Sequence, residues 1–188
     1  MDLAVVVSRA QLGIQAPPVH IEVHLANGLP GVNIVGLPET AVKESRDRVK
    51  AALTTSGFQF PARRITVNLA PADLPKEGGR FDLGIALGIL AASGQIPAAA
   101  LKGTEFLGEL GLTGALRPAG GVLPAAMAAA REDRALVLAR EDADEAALVN
   151  GARILPAGHL LEVCAHLHGQ TPLAPHPGRG PGDAPGPE

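Results

Sequence analysis

The sequence predicts an α+β fold, with N-terminal antiparallel strands followed by alternating helices and strands. Three observations carry this. Val19 to Leu25 (VHIEVHL) alternates apolar and polar residues with period two, as a half-buried strand does, and Asn27-Gly28 follows as a turn signal. From Glu105 to His168, strand-like and helix-like stretches take turns, which favours parallel or mixed pairing. Between these halves, Asp82 to Ala92 (DLGIALGILAA) is apolar on every side, the pattern of a helix buried all round.

Leu3 to Ser8 is a β-branched run and reads as the first strand, Gln11 to Pro18 as a turn region, and Val19 to Leu25 as the second strand. Gly31 to Gly36 (GVNIVG) reads as a third, so the first thirty-six residues are expected to form an antiparallel meander. Pro38 suits the first turn of a helix. Thr40 to Ser56 then sets Val42, Ser45, Val49, Ala52 and Leu53 on one side and charged residues on the other, and Gly57 closes it. Arg63 to Ala70 is a strand leading into a loop, Pro71 to Phe81, that is rich in glycine, proline and charge.

Asp82 is expected to cap the central helix through its side chain, and Gly94 suits its far end. Gly84 and Gly88, four apart, let neighbours approach closely, so a large residue at Gly84 is expected to unfold the domain. If Lys76 and Arg80 in the preceding loop are functional and solvated, Lys76→Ala or Arg80→Ala is expected to leave folding almost intact. Glu105 to Leu110 reads as a strand, Gly111 to Gly114 as a turn, and Ala115 to Arg117 as a short return strand. Helix Val122 to Glu132, strand Ala135 to Ala139, helix Glu141 to Val149, strand Ala152 to Leu155 and helix Gly158 to His168 complete the folded part. Residues 1–168 are read as one domain. Residues 169–188, mostly Pro, Gly and Ala, are read as a disordered linker.

Composition removes several functions. A net charge of −3 gives no global polycation signal for nucleic acid. Four Phe, no Trp and no Tyr leave almost no stacking platform for single strands. Cys164 stands alone, so no intrachain disulfide forms; the N-terminus lacks a signal-peptide pattern, and no apolar run has the ~20 residues of a membrane span. The chain therefore reads as soluble and cytoplasmic, with no membrane partner.

Candidate chemistry is thin. The phosphate loop G-x-x-x-x-G-K-[ST] is absent. KEGGRFD places glycines and a lysine before a helix, but Asp82 at that terminus would repel an anion. His20, Glu22 and His24 share one strand face and could ligate zinc, although a solvated face explains them as well. His166 and His168 suit a helix end, and Cys164 a core position. No cofactor-binding, metal or catalytic residue is assigned.

Three segments carry a family resemblance: VGLPETAVKESRDRV, ITVNLAPADLPKEGGRFDLGIALGIL and GELGLTGALRPAGG, in that order. Together they closely resemble the N-terminal domain of the YifB/ComM family of magnesium-chelatase-like AAA+ ATPases, over about Met1 to Pro172. The resemblance implies a Lon protease-like fold, similar also to the second domain of ribosomal protein S5. Lon uses a Ser–Lys dyad, and the equivalent places here look like Asp82 and Leu123. A carboxylate is not a hydroxyl nucleophile, and leucine is no base. The resemblance thus implies a pseudo-protease and not an enzyme.

Family members continue into an AAA+ module that binds ATP and magnesium and assembles hexameric rings, with a role in DNA branch migration during natural transformation. ATP and magnesium are expected only in that module, and none in this chain. The reading is a non-catalytic accessory domain of such an ATPase, with the AAA+ motor, a homo-oligomeric ring and DNA as expected partners. Contacts to DNA or a partner would come from Lys43, Arg46, Arg48 and Lys50 on the first helix, Arg63 and Arg64, and Lys76 and Arg80. Glu44 and Asp47 interleave there, so a solvated network of helix ion pairs explains the same charges. Two other readings stay open: a Lon-like peptidase with an unusual nucleophile, and a free-standing regulator docking on an AAA+ partner.

Overall fold

The computed structural model describes residues 2–178. Its elements run β1 (Leu3–Arg9), β2 (Pro18–Ala26), β3 (Gly31–Val35), α1 (Glu39–Thr55), β4 (Arg64–Ala70), α2 (Asp82–Ala92), a 3-10 turn (Ala98–Leu101) and β5 (Thr104–Leu107). There follow β6 (Glu109–Leu110), β7 (Leu116–Arg117), α3 (Leu123–Arg131), β8 (Ala135–Ala139), α4 (Arg140–Ala146), β9 (Arg153–Ala157) and α5 (Leu160–Leu167). Seven strands form one mixed sheet in the order β3-β4-β2-β1-β5-β8-β9, and β6 and β7 form a separate hairpin. The sheet is mostly parallel: only the β1–β2 and β2–β4 pairs run antiparallel.

The expected meander holds for β1 and β2 but not for the third strand. β3 lies at the sheet edge, parallel to β4, and β4 takes the place beside β2. The chain crosses over through α1 between them, so a helix connects two parallel strands, as such pairs require. The stretch read as one strand from Glu105 to Leu110 is two: Gly108 breaks it, and the second part leaves the sheet to build the hairpin.

The alternation in β2 does what its period predicts. Val19, Ile21, Val23 and Leu25 are buried, while His20 and His24 face outward and Glu22 accepts from the Asn68 amide at 2.8 Å. Every residue of α2 is buried, and the helix lies across β1 and β2. Its glycines make that approach possible: a Cβ on Gly88 would stand 2.5 Å from Val23 Cγ2, and one on Gly84 would overlap Ile21 Cδ1. α1 and α5 complete this layer through Val49, Ala52, Leu53, Leu160, Val163 and Leu167. A smaller alanine-rich core fills the other face, where α3 and α4 cover β5, β8 and β9. At the other end of the sheet, Leu3 and Val5 stay exposed on that face beside His20 and His24.

Of the segment read as a linker, residues 169–178 are described, and they contact the domain. The His176 amide donates to Ile154 O at 2.8 Å on β9, the Leu173 amide donates to His166 Nδ1 at 2.9 Å, and Leu173 packs on the core. Residues 179–188 lie outside the described residues. Among the described residues no helix is long and apolar enough to cross a membrane.

Candidate functional site

The start of α2 collects several buried polar residues. Asp82 is fully buried, but it does not cap the helix. It occupies the first helical position, after Phe81, and its carboxylate points across to other elements. Ser45 donates to Oδ1 at 2.7 Å, Arg48 donates through Nε to Oδ2 at 2.7 Å and through Nη2 to Oδ1 at 3.3 Å, and the Leu110 amide donates to Oδ2 at 3.2 Å. One carboxylate therefore ties α1, α2 and the β6–β7 hairpin together. Ser45 and Arg48 are three apart on α1 and so share the face turned to α2. The helix terminus is satisfied instead by backbone: the Asp82 amide donates to Gly79 O at 2.9 Å and the Leu83 amide to Gly108 O at 3.1 Å. Burial pushes the Asp82 carboxyl up, against the opposing pull of Arg48, Ser45 and the Leu110 amide.

Ser45 donates its hydrogen bond to a carboxylate that is itself gripped by a guanidinium, and at the start of α3 Leu123 offers no titratable group. Gly79 lets the loop close over the pair, because a Cβ there would stand 2.8 Å from Arg48 Nη2 and 2.6 Å from Glu109 Oε2.

Solvation of Lys76 and Arg80, the condition for mild effects of Lys76→Ala and Arg80→Ala, does not hold: they are only 4% and 7% exposed. Lys76 turns inward and its ammonium donates to the carbonyls of Pro71 and Leu74, holding the loop's shape, and burial pulls its pKa down. Lys76→Ala strips the donor from both carbonyls and is expected to cost ~1–3 kcal/mol, read as a lower urea midpoint. Arg80 donates through Nη1 to Gln11 Oε1 at 3.3 Å and lines a cleft between the loop, the hairpin and the tip of β1–β2.

The other six predicted cations do not form one patch. Arg48 is committed to Asp82, and Arg63 pairs with Asp2 at 2.7 Å. Lys43 and Lys50 are exposed on α1, with Arg46 half-buried beside them. Arg46 and Lys50 line a groove of ≈ 580 Å³ together with Asp47 and Phe60, and the Lys50 ammonium sits 5.5 Å from the Phe60 ring centre. Arg64 is exposed at the start of β4.

Sequence reasoning missed a second buried cluster. Arg9 grips Glu105 through Nε at 2.7 Å and Nη2 at 2.8 Å, reaches Glu132 at 2.6 Å, and Arg134 adds a contact to Glu105 at 2.9 Å. It bolts β1 to β5 where their pairing is a single register point. Glu105→Ala takes the buried carboxylate from Arg9 and leaves it Glu132 and the Ala16 carbonyl alone, so a loss of ~3 kcal/mol, the low end for a broken buried pair, is expected in urea unfolding. A charged residue ending the apolar strand Leu3 to Ser8 was the available signal.

His20, Glu22 and His24 do not gather with other ligands; among the described residues no group of three or more metal-ligating side chains occurs. Cys164 is buried, which pushes its thiol up to about 12. It is expected to resist a thiol reagent at pH 8 in the folded chain and to react promptly in denaturant.

Comparison with known proteins bears on this arrangement. Residues 21–142 match the family described as subunit ChlI of Mg-chelatase. Over 173 residues the chain is 58% identical to competence protein ComM of Haemophilus influenzae, covering 92% of this chain and 34% of that protein. It is 53% identical to the uncharacterized protein YifB of Escherichia coli (strain K12), with the same coverage. An uncharacterized protein of Mycobacterium tuberculosis (strain H37Rv) is 42% identical over 175 residues, covering 93% of this chain and 35% of that protein. The chain thus spans about a third of the length of the curated relatives it matches.

Proposed function

This chain belongs to the Mg-chelatase ChlI family, as the N-terminal domain of its YifB/ComM branch, and from that premise we propose that it is a non-catalytic accessory domain of an AAA+ ATPase that processes DNA. The observation that carries the proposal is the state of Asp82. In a Lon-like fold this position would open the catalytic helix; here its carboxylate is spent on Ser45, Arg48 and the Leu110 amide. The position works as an anchor between α1, α2 and the hairpin. The Lon-like peptidase reading is less well supported, because Ser45 and Ser93 both donate within the fold and neither hydrogen-bonds a lysine among the described residues.

The domain then acts by contact. Of the eight predicted cations, Lys43, Arg46 and Lys50 on α1, with Arg64, make no ion pair among the described residues, and they suit phosphate contacts that ignore sequence. Homo-oligomeric ring assembly and ATP with magnesium belong, in this proposal, to the remainder of the full-length relatives. Fluorescence anisotropy with labelled duplex DNA tests the DNA surface. Binding is expected to weaken steeply as salt rises. The triple variant Lys43→Glu, Arg46→Glu, Lys50→Glu should lose it while keeping its melting temperature. Equal affinity of variant and parent would remove DNA contact from the proposal.

A further inference from the structure

The main sheet has one closed edge and one open edge. On β9, Pro156 removes an outward N–H and the His176 amide covers Ile154 O, two devices that keep an edge from pairing. At the opposite edge β3 (GVNIV) has no proline and no charge, and no segment covers it among the described residues. Its register shows which backbone groups are free. Gly31 lies opposite Arg64 and its amide donates to Arg63 O at 3.3 Å, so in this parallel pair Gly31, Asn33 and Val35 direct their backbone groups at β4. The N–H and C=O of Val32 and Ile34 therefore point away from the sheet, and no other element pairs with them among the described residues. Such a row is a template for another strand.

We propose that β3 pairs antiparallel with β3 of a second copy of this chain, about a two-fold axis at Asn33. The strand is complementary to itself. The register that overlaps all five residues sets Val32 opposite Ile34 of the second copy, and the two exchange both backbone bonds. Asn33 then faces its own counterpart, and no like charges meet along the seam, because the strand has none. Leu29, 89% exposed just before the strand, and Val35, 45% exposed at its end, come to the same end of the seam from opposite copies. The groove beside β3 carries Arg46, Asp47 and Lys50, so each α1 shows both signs of charge to the other. The β9 edge of a second copy is closed by Pro156 and His176, which leaves β3 as the matching edge. The contact is isologous, so it pairs two chains and closes no ring. It stands apart from the ring assembly and the DNA contact proposed above, and can fail while either succeeds.

The test is sedimentation equilibrium of the chain alone, without DNA or nucleotide, as its concentration rises. A monomer–dimer equilibrium is expected. Val32→Pro deletes an outward N–H on both copies and no bond to β4. It is expected to keep a cooperative melt and to weaken the dimer about tenfold or more. Asn33 is exposed, so its substitution probes the seam without loading the fold. Asn33→Lys and Asn33→Asp each set like charges face to face and are expected to weaken the dimer severalfold, while an equimolar mixture of the two restores it. Should Val32→Pro not fold, the Asn33 pair decides. A parent chain that stays monomeric at every concentration overturns the proposal. So does a dimer that Val32→Pro leaves at parental strength, which would place the contact away from this edge. A mixture of the Asn33 variants no more dimeric than either alone overturns it as well, because something other than the same strand would then face Asn33.

Discussion

Asp82→Ala is expected to destabilise the chain by ~3–5 kcal/mol, a large part of the ~5–15 kcal/mol that holds a domain folded. The substitution strands Arg48, which is only one-fifth exposed, and leaves Ser45 and the Leu110 amide without their acceptor. Asp82→Asn should cost less, since the amide oxygen still accepts one or two of these bonds. Arg48→Ala leaves the opposite charge fully buried. Combined with Asp82→Ala, it should cost clearly less than the sum of the two single changes, because both remove one interaction. Urea unfolding of the parent and the four variants measures this. Additive losses would mean that Asp82 and Arg48 do not act as a pair, and a loss near zero for Asp82→Ala would take the anchor away.

Gly84→Leu is the second large effect. The side chain would have to enter space held by Ile21 Cδ1, with Val6 Cγ1 3.5 Å from the new Cβ. Both are core residues of strands that cannot retreat without breaking the register of β1 and β2. Overpacking costs typically ~1–3 kcal/mol and sometimes more. Leucine in place of glycine, with backbone sheet behind the contact, belongs at the upper end or beyond. The expected result is a chain with no cooperative thermal transition, or one far below the parent. A melting temperature equal to the parent's would refute the close packing of α2 on β1 and β2.

The period-two pattern of Val19 to Leu25 and the uniform apolarity of Asp82 to Ala92 were sufficient to place β2 and α2, because each pattern follows from which faces are buried. Strand order was not legible. GVNIVG reads the same whether it pairs with β2 or with β4, and only the crossover through α1 decides it. The polar centre was misjudged for a related reason. Lys76 and Arg80 have charges that ordinarily face water; Lys76 is turned inward by carbonyls of its own loop, whose path no side-chain pattern announces, and Arg80 meets Gln11, far off in the sequence. Asp82 has the composition of a cap, yet Gly79 and Gly108 already serve the helix end, so its carboxylate is released to pair with Arg48, thirty-four positions away in sequence. Arg9 and Glu105 are further apart still, and no local pattern joins them.

The claim that this domain works by contact within a larger assembly is tested most directly by sedimentation velocity. The chain is mixed with the separately purified remaining two-thirds of a YifB/ComM relative, in the presence of ATP and magnesium. The two parts are predicted to sediment together as a ring-sized complex, with the chain recovered intact and casein in the same sample uncut. A chain that sediments alone at every concentration would contradict the proposal, and so would casein cleavage that Asp82→Asn abolishes.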